Sequence, residues 1–536
     1  MTRLLQHWVT ETAQQRPAST ALVSGASRMT YAELDTLSTQ VARVLKESGC
    51  RQGDRVALLM SSSPMGIVGL MGIYKADCIY VPLDPSSPVS RLKKILESCD
   101  SQWLLAGGPV TSVLEELCQD ERWRQLRVGW LDRARPAADN CAVEFMLDDV
   151  AGYSAAPLPT RNTSDDPAHI LFTSGSTGTP KGVVLTHANV IHFIEWATTY
   201  FGMDASDRAS AHPPLHFDMS MLDIFSMAAV GGELHLVPRE LNLLPNKLAE
   251  FIRTSELTQW YSVPPVLNYL AKFDAVRFND FPALRRVLWA GDVLPTPALI
   301  YWMQRLPHAS FTNLYGPTET AISSSYYTVP ECPTDPQASI PIGQACAGEA
   351  LLVVDESLRP LPPGETGDLY IGGAGVALGY WRDPERTAAA FISDPRRPSQ
   401  RIYKTGDLAR IGDDGLVYFL GRSDYQIKSR GYRIELGEIE AAMNAVPGVL
   451  ECAVVAVGTG GFEGLAICCA YVPEAGAHPT PTAIRRELSR RVPAYMLPNR
   501  WRAFDRFPKN ASGKIDRRRL KDVFAEQADA YAAQTT

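Results

Sequence analysis

The first residues fitted for chemistry are those of Ile170-Leu-Phe-Thr-Ser-Gly-Ser-Thr-Gly-Thr-Pro-Lys-Gly-Val183. An apolar run suited to a strand gives way to Thr173, Ser174, Gly175, Ser176, Thr177, Gly178 and Thr179, and then to Lys181. Small residues let a backbone approach an anion, hydroxyl and N–H groups donate hydrogen bonds to it, and a lysine adds mobile positive charge. The stretch therefore reads as a phosphate loop. It is not a Walker A loop, because G-x-x-x-x-G-K-[ST] cannot be threaded through it, which excludes a P-loop kinase. Taken alone, it could equally be a flexible Gly/Ser/Thr surface loop.

The elements around it must hold it in place. Apolar positions recur at helical spacing from Thr30 to Leu45, and Arg55-Val-Ala-Leu-Leu-Met reads as a buried strand. A helix over Met65 to Ala76, a strand from Cys78, a helix over Ser90 to Glu97 and a strand at Trp103 continue the alternation, which predicts parallel sheets covered by helices. The segment from Gly107 to Pro167 is polar and irregular and is expected to lead up to the loop without a fold of its own. A helix over Asn189 to Thr199 follows. Two strands, at Arg286 and at Phe311, then end in turns, and in an open α/β sheet the ligand crevice lies at the carboxyl ends of strands.

Between Ile340 and Phe419 short strands broken by Gly and Pro suggest a small barrel-like β region. Beyond it, a basic segment, a helix over Leu436 to Ala445, strands at Cys452 and Gly464, and a helix near Pro481 to Arg491 make a compact α+β unit. The expected domains are therefore 1–423 and 424–536.

A chain of 536 residues exceeds what one core usually serves. A net charge of −7 gives no footprint for nucleic acid. The N-terminus is too polar for a signal peptide, and no stretch is long and apolar enough to span a bilayer. Ten cysteines without C-x-x-C spacing read as reduced thiols of a cytoplasmic protein.

Six motifs in order end the loop's isolation: Thr173 to Gly182, Asn313-Leu-Tyr-Gly-Pro-Thr-Glu-Thr320, Tyr403-Lys-Thr-Gly-Asp-Leu-Ala-Arg410, Gly421-Arg-Ser-Asp424, Arg430 to Glu440, and Pro508 to Asp516. Together they resemble the adenylate-forming superfamily, and from Thr30 to Lys514 the chain looks like a free-standing amino-acid adenylation domain of nonribosomal peptide synthesis. That resemblance implies a large core of two helix-covered sheets and a small mobile C-terminal lid. It also implies ATP and Mg²⁺, and a reaction in two steps: an acyl-adenylate forms with release of pyrophosphate, and a phosphopantetheine thiol then takes the acyl group. It further implies that Lys514 bridges the carboxylate and α-phosphate, that Glu319 holds Mg²⁺, and that Thr318 contacts phosphate. Tyr315 would stack on adenine beside Asn313 and Gly316, Asp407 would accept both ribose hydroxyls, Arg422 would contact nucleotide, and Asp424 would be the hinge. Gly431 to Arg433 would line the thiol's approach.

By the same resemblance, Asp218, which follows Phe217, pairs with a substrate ammonium and so selects an amino acid. The competing reading is that Asp218 caps the following helix with Ser220. Carried over from the family, the side-chain site is Met219, Leu222, Ser262, Leu288, Ala290, Leu314, Ile322 and Ser323, with Gly291 next to Ala290. This wall is apolar with two hydroxyls and no second charge, which disfavours a charged substrate side chain. It resembles the walls of prolyl and alanyl activators. After Lys514 only 515–536 remain, with no serine to carry phosphopantetheine, so the thiol is expected on a separate carrier protein. An acyl-CoA or aryl-CoA ligase is the rival enzyme. A nucleotide-binding relative that has lost turnover would be expected to lack Lys514, Glu319 or Asp407, and all three are present.

Overall fold

A computed structural model describes residues 3–138, 140–175, 178–429, 431–459, 465–509 and 515–535. They form two units, one of Met1–Pro85, Leu96–Phe172 and Gly182–Ser423, the other of Ser86–Ile95, Thr173–Lys181 and Asp424–Thr536.

In the first unit Arg55–Leu59, Ile79–Pro82 and Trp103–Ala106 are almost wholly buried apolar runs, as strands covered on both faces must be. They pair in parallel at the centre of an eight-stranded sheet. Two helices show how the sequence sets this layer. Tyr31–Glu47 starts at a capping box, in which the Glu33 carboxylate accepts from Thr30 N at 2.7 Å. Pro64–Lys75 starts with a proline behind a Ser63 cap. They pack closely because Gly72 has no side chain, since a Cβ there would lie 2.6 Å from Val41 Cγ1.

The segment from Gly107 to Pro167 departs from the expectation of an irregular lead-in. It carries the helix Thr111–Cys118 and the strands Arg127–Trp130 and Ala142–Met146, which extend the sheet in parallel to its edge. These strands are short, and Ala142–Met146 is only partly buried, so their composition carries little apolar signal. The expectation of reduced thiols is likewise corrected, because Cys118 and Cys141 form a disulfide across this edge, with Cα atoms 5.6 Å apart. Twenty-three positions separate them, a spacing that follows no motif, so only the edge's own folding brings them together.

A nine-stranded sheet holds the turns that follow the strands at Arg286 and Phe311. Its parallel run is Ser310–Tyr315, Arg286–Trp289, Gln259–Ser262, Arg208–Ala211, Glu233–Leu236 and Thr20–Ser24, with antiparallel strands at both edges. The barrel-like region is a five-stranded antiparallel sheet built around the long strand Arg397–Ile411.

In the second unit Val449–Gly458 and Leu465–Pro473 pair antiparallel, and Arg500–Ala503 adds a parallel edge. Strand alternation divides its core. Val454 and Ile467 face one apolar layer with Ile439 and Ile484, while Val455 and Cys468 face another with Leu520 and Phe524. Among the described residues, no helix of either unit is long and apolar enough to cross a membrane.

Candidate active site

The strand Ser310–Tyr315 positions two sets of side chains at once, because successive residues point to opposite faces. Leu314 joins the core layer of Met219, Leu222, Leu288, Ala290 and Ile322. Tyr315 faces the other way, into a layer formed with Leu369, Ile371 and Ala409 of the antiparallel sheet. Asn313, on the same side as Tyr315, donates to Pro341 O at 2.9 Å.

Tyr315 and Arg422 converge on Asp407. The Tyr315 hydroxyl donates to Oδ2, the Arg422 guanidinium pairs with Oδ1, and the carboxylate is 2% exposed. Thr405 fixes the turn, its Oγ1 donating to Leu369 O at 2.7 Å and accepting from Asp407 N at 3.0 Å. Burial and the neighbouring carboxylate hold the Tyr315 phenol far above its ordinary pKa, so it stays a donor. Each carboxylate oxygen has two acceptor positions, so Asp407 keeps capacity beyond these two bonds.

Glu319 sits in the 3₁₀ turn Thr318–Thr320, fully buried, with Oε1 accepting from the Tyr380 hydroxyl at 2.9 Å. Its own carbonyl accepts from Ala377 N at 3.0 Å. After this turn Ala321 and Ile322 take positive φ, 55° and 70°. Left-handed backbone at a β-branched residue costs on the order of 1–3 kcal/mol and persists only where its surroundings hold it. The conformation turns Ile322 into the pocket layer and places Ser323, 2% exposed, beside it.

Asp218 stands at the N-cap position of the helix Met219–Val230 and makes no side-chain capping bond. Ser220 donates to Phe217 O at 2.7 Å. The helix-capping alternative for this aspartate is therefore not realised. The side-chain wall is brought together as far as Met219, Leu222, Leu288, Ala290, Leu314 and Ile322, with Gly291 following at φ 90°. Ser262 points elsewhere. Its register partner is Trp289, and its Oγ accepts from Trp260 Nε1 at 3.0 Å, on the opposite face from Leu288. Tyr261, not singled out in the sequence, is the residue paired with Leu288. Tyr380 and Thr405 also escape sequence reasoning. Thr405 lies inside a motif and Tyr380 outside all six, and only the fold shows which atom each reaches.

The strand Pro167–Thr173 runs into the loop, and the chain resumes as the strand Lys181–Thr186. No helix starts at the loop, so an anion there would be met by loop N–H and hydroxyl groups and Lys181, without a helix terminus. Gly175 N donates to Glu438 Oε2 at 3.2 Å, and Ser174 Oγ donates to Arg433 O at 2.7 Å. Glu438 also pairs with Arg91, both side chains being buried. Asp424 is exposed, and its Oδ1 accepts from Gln426 N at 3.1 Å. Gly431 has φ 80°, and Arg433 Nε donates to Gln426 Oε1 at 2.6 Å. Ser176, Thr177, Arg430 and Lys514 lie outside the described residues.

A separate cavity of about 660 Å³ is lined by Glu349, Gly373, Asp394, Arg397 and Arg401, among others, and by none of the residues predicted for the site. Burial raises the Glu349 carboxyl to about 8.

Among the described residues, no cluster of three or more His, Cys, Asp or Glu could hold a metal ion. One buried carboxylate, Glu319, next to Thr318 fits a magnesium ion that takes most of its ligands from phosphate and water.

This fold and this grouping of carboxylate, tyrosine and arginine accompany a family match over most of the chain: it belongs to the AMP-binding enzymes, whose model matches residues 9–381, with the AMP-binding enzyme C-terminal domain at 438–514. Among its relatives, tyrocidine synthase 3 of Brevibacillus parabrevis is 33% identical over 521 residues, 97% of this chain. The chain spans only 8% of that protein and 14% of surfactin synthase subunit 2 of Bacillus subtilis. The L-proline–[L-prolyl-carrier protein] ligase of Streptomyces coelicolor is 33% identical over 532 residues, 95% of this chain and 94% of that protein. The fold matches the Vibrio cholerae adenylation domain AlmE in complex with glycyl-adenosine-5'-phosphate, with a TM-score of 0.84 over 97% of this chain and 98% of that one, at 24% identity.

Proposed function

We propose that this protein uses ATP to activate a small neutral α-amino acid, proline- or alanine-like, and passes it to the phosphopantetheine thiol of a separate carrier protein. In the first step a carboxylate oxygen attacks the α-phosphorus and pyrophosphate leaves. In the second the thiol sulfur attacks the acyl carbon, loses its proton, and AMP leaves. A carboxylate is a weak nucleophile facing a polyanion, so positioning and charge neutralisation carry the catalysis.

Asp218 receives the substrate ammonium in this reading, with Phe217 beside it, and the apolar wall takes the side chain. Asp407, Tyr315 and Arg422 hold the nucleoside, with Asn313 and Gly316 framing that turn. The phosphates meet Thr318 and the loop Thr173, Ser174, Gly175, Ser176, Thr177 and Lys181. Glu319 holds Mg²⁺, which neutralises phosphate charge when bound. Lys514 bridges the reacting oxygens as charge builds, and the unit beginning at Asp424 rotates between the steps. The carrier is an acidic protein that docks near the basic segment around Lys428 and Arg433.

The observation that carries the reading is Asp218: a carboxylate at a helix start that does not serve as that helix's cap and that precedes Met219 and Leu222 of the apolar layer. A fatty or aryl acid has no ammonium to offset its desolvation. The relationship to a prolyl-carrier protein ligase over nearly the whole of both chains supports the same choice.

Amino-acid-dependent ATP–pyrophosphate exchange over a panel, followed by loading of candidate carriers, tests the proposal. Exchange with a small neutral amino acid, and acylation of a carrier but not of free coenzyme A, is expected. Exchange only with fatty or aryl acids would overturn it in favour of the CoA ligase.

A further inference from the structure

The pocket layer is not uniformly apolar. Tyr261 is fully buried and is the register partner of Leu288, which puts it on the sheet face that carries Leu314. Its hydroxyl has no hydrogen-bond partner among the described residues, and neither has the hydroxyl of Ser323 beside it. Buried polar atoms in folded proteins are nearly always paired, so two unpaired hydroxyls in one wall need an explanation.

Their surroundings place them at the substrate. Burial, with a smaller contribution from the carboxyl groups of Asp218 and Asp223, pushes the Tyr261 phenol well above its ordinary pKa. Ser323 Oγ lies close enough to that phenol to counter part of the shift, yet the two hydroxyls form no well-shaped hydrogen bond with each other. Asp218 is the group proposed to receive the ammonium, so a side chain extending from that α-carbon across Leu288 and Ile322 would meet Tyr261 and Ser323. Asp223, in the same helix, is fully buried, and burial pushes its carboxyl well above the usual carboxylate range, with Gln259 acting against the shift. The wall formed with Leu288 and Ile322 therefore offers two hydroxyl groups, those of Tyr261 and Ser323. Such groups are complemented by a neutral partner that both donates and accepts.

We propose that the substrate is a small α-amino acid bearing a side-chain hydroxyl, and that Tyr261 and Ser323 are the residues that select it. The proposal rests on the amino-acid activation read above and replaces its proline- or alanine-like side chain with a hydroxylated one of similar size. A site built to hydrogen-bond a hydroxyl discriminates strongly against the analogue that lacks it, because its own polar groups are then left unpaired. Ser262 does not contribute, since its hydroxyl is engaged by Trp260.

The test uses the full-length protein in pyrophosphate exchange with matched pairs: serine against alanine, threonine against valine, and hydroxyproline against proline. In at least one pair the hydroxylated member is expected to have a kcat/KM higher by about tenfold or more. Tyr261→Phe and Ser323→Ala should each shrink that preference, mainly through KM for the hydroxylated substrate. Measuring two variants guards against misfolding of one, and thermal melting reports it. A wild-type preference for the aliphatic member of every pair, as a pocket that keeps water at these hydroxyls would show, overturns this inference and leaves amino-acid activation standing. So does a preference that survives both substitutions in folded protein. Absence of exchange with every amino acid would instead overturn the function on which it rests.

Discussion

Asp407 is held by two buried bonds, from the Arg422 guanidinium and from the Tyr315 hydroxyl, and so joins the antiparallel sheet to the strand Ser310–Tyr315. Removing its charge leaves Arg422 facing a weaker acceptor in a dry setting, and a hydrogen bond to a charged group is worth about 1.5–3 kcal/mol. Asp407→Asn is therefore expected to raise KM for ATP by about 10–100-fold, with a smaller effect on KM for the amino acid. Substrate-saturation curves in the exchange assay distinguish the two, and equal rises would contradict the assignment. Asp218 was legible as an acid at a turn. That it does not serve as a cap is visible only once the helix Met219–Val230 is built, because an Asp before a helix is ordinarily its cap.

At the scale of elements, the turn after Ser310–Tyr315 is the tightest constraint in the site. Gly316 lies so close to the returning chain that a Cβ would be 2.5 Å from Ser323 Cα and 2.8 Å from Ser324 N, both backbone atoms that no rotamer change can move. Gly316→Ala must push the strained residues Ala321 and Ile322 outward, and overpacking of this kind costs about 1–3 kcal/mol. Its expected signature is a lower melting temperature together with a raised KM for the amino acid, since Ile322 and Ser323 sit on the displaced segment. A variant with unchanged stability and kinetics would mean the turn relaxes freely. The central strands and the helices packed on them were readable because buried parallel strands are continuous apolar runs. The sheet edge between Gly107 and Pro167 was not readable. Its strands are short, and one is only partly buried.

Across the whole molecule, the titration of buried histidines sets the acid limit. Burial depresses His169 to about 3, and His187 and His212 to about 4, from an ordinary 6.5. Between pH 6.5 and about 4 the unfolded chain binds protons at these sites that the folded chain does not, so stability rises with pH there. The contribution is fully present above 6.5 and is lost as pH falls through the window toward the folded values. Melting temperature should fall steeply on acidification across this range, and more gently in His169→Gln. An equal slope in that variant would show that His169 titrates normally.

The sequence by itself determined the order of motifs, the parallel α/β character and the kind of chemistry, because those reside in local residue types and in the period of apolar runs. Tertiary structure alone decided that Tyr315 meets Asp407, that Tyr380 meets Glu319, and that Tyr261 rather than Ser262 faces Leu288. Each of these turns on strand register and alternation, where a shift of one residue exchanges the two faces of a strand, and nothing local in the chain records which face will look into the site.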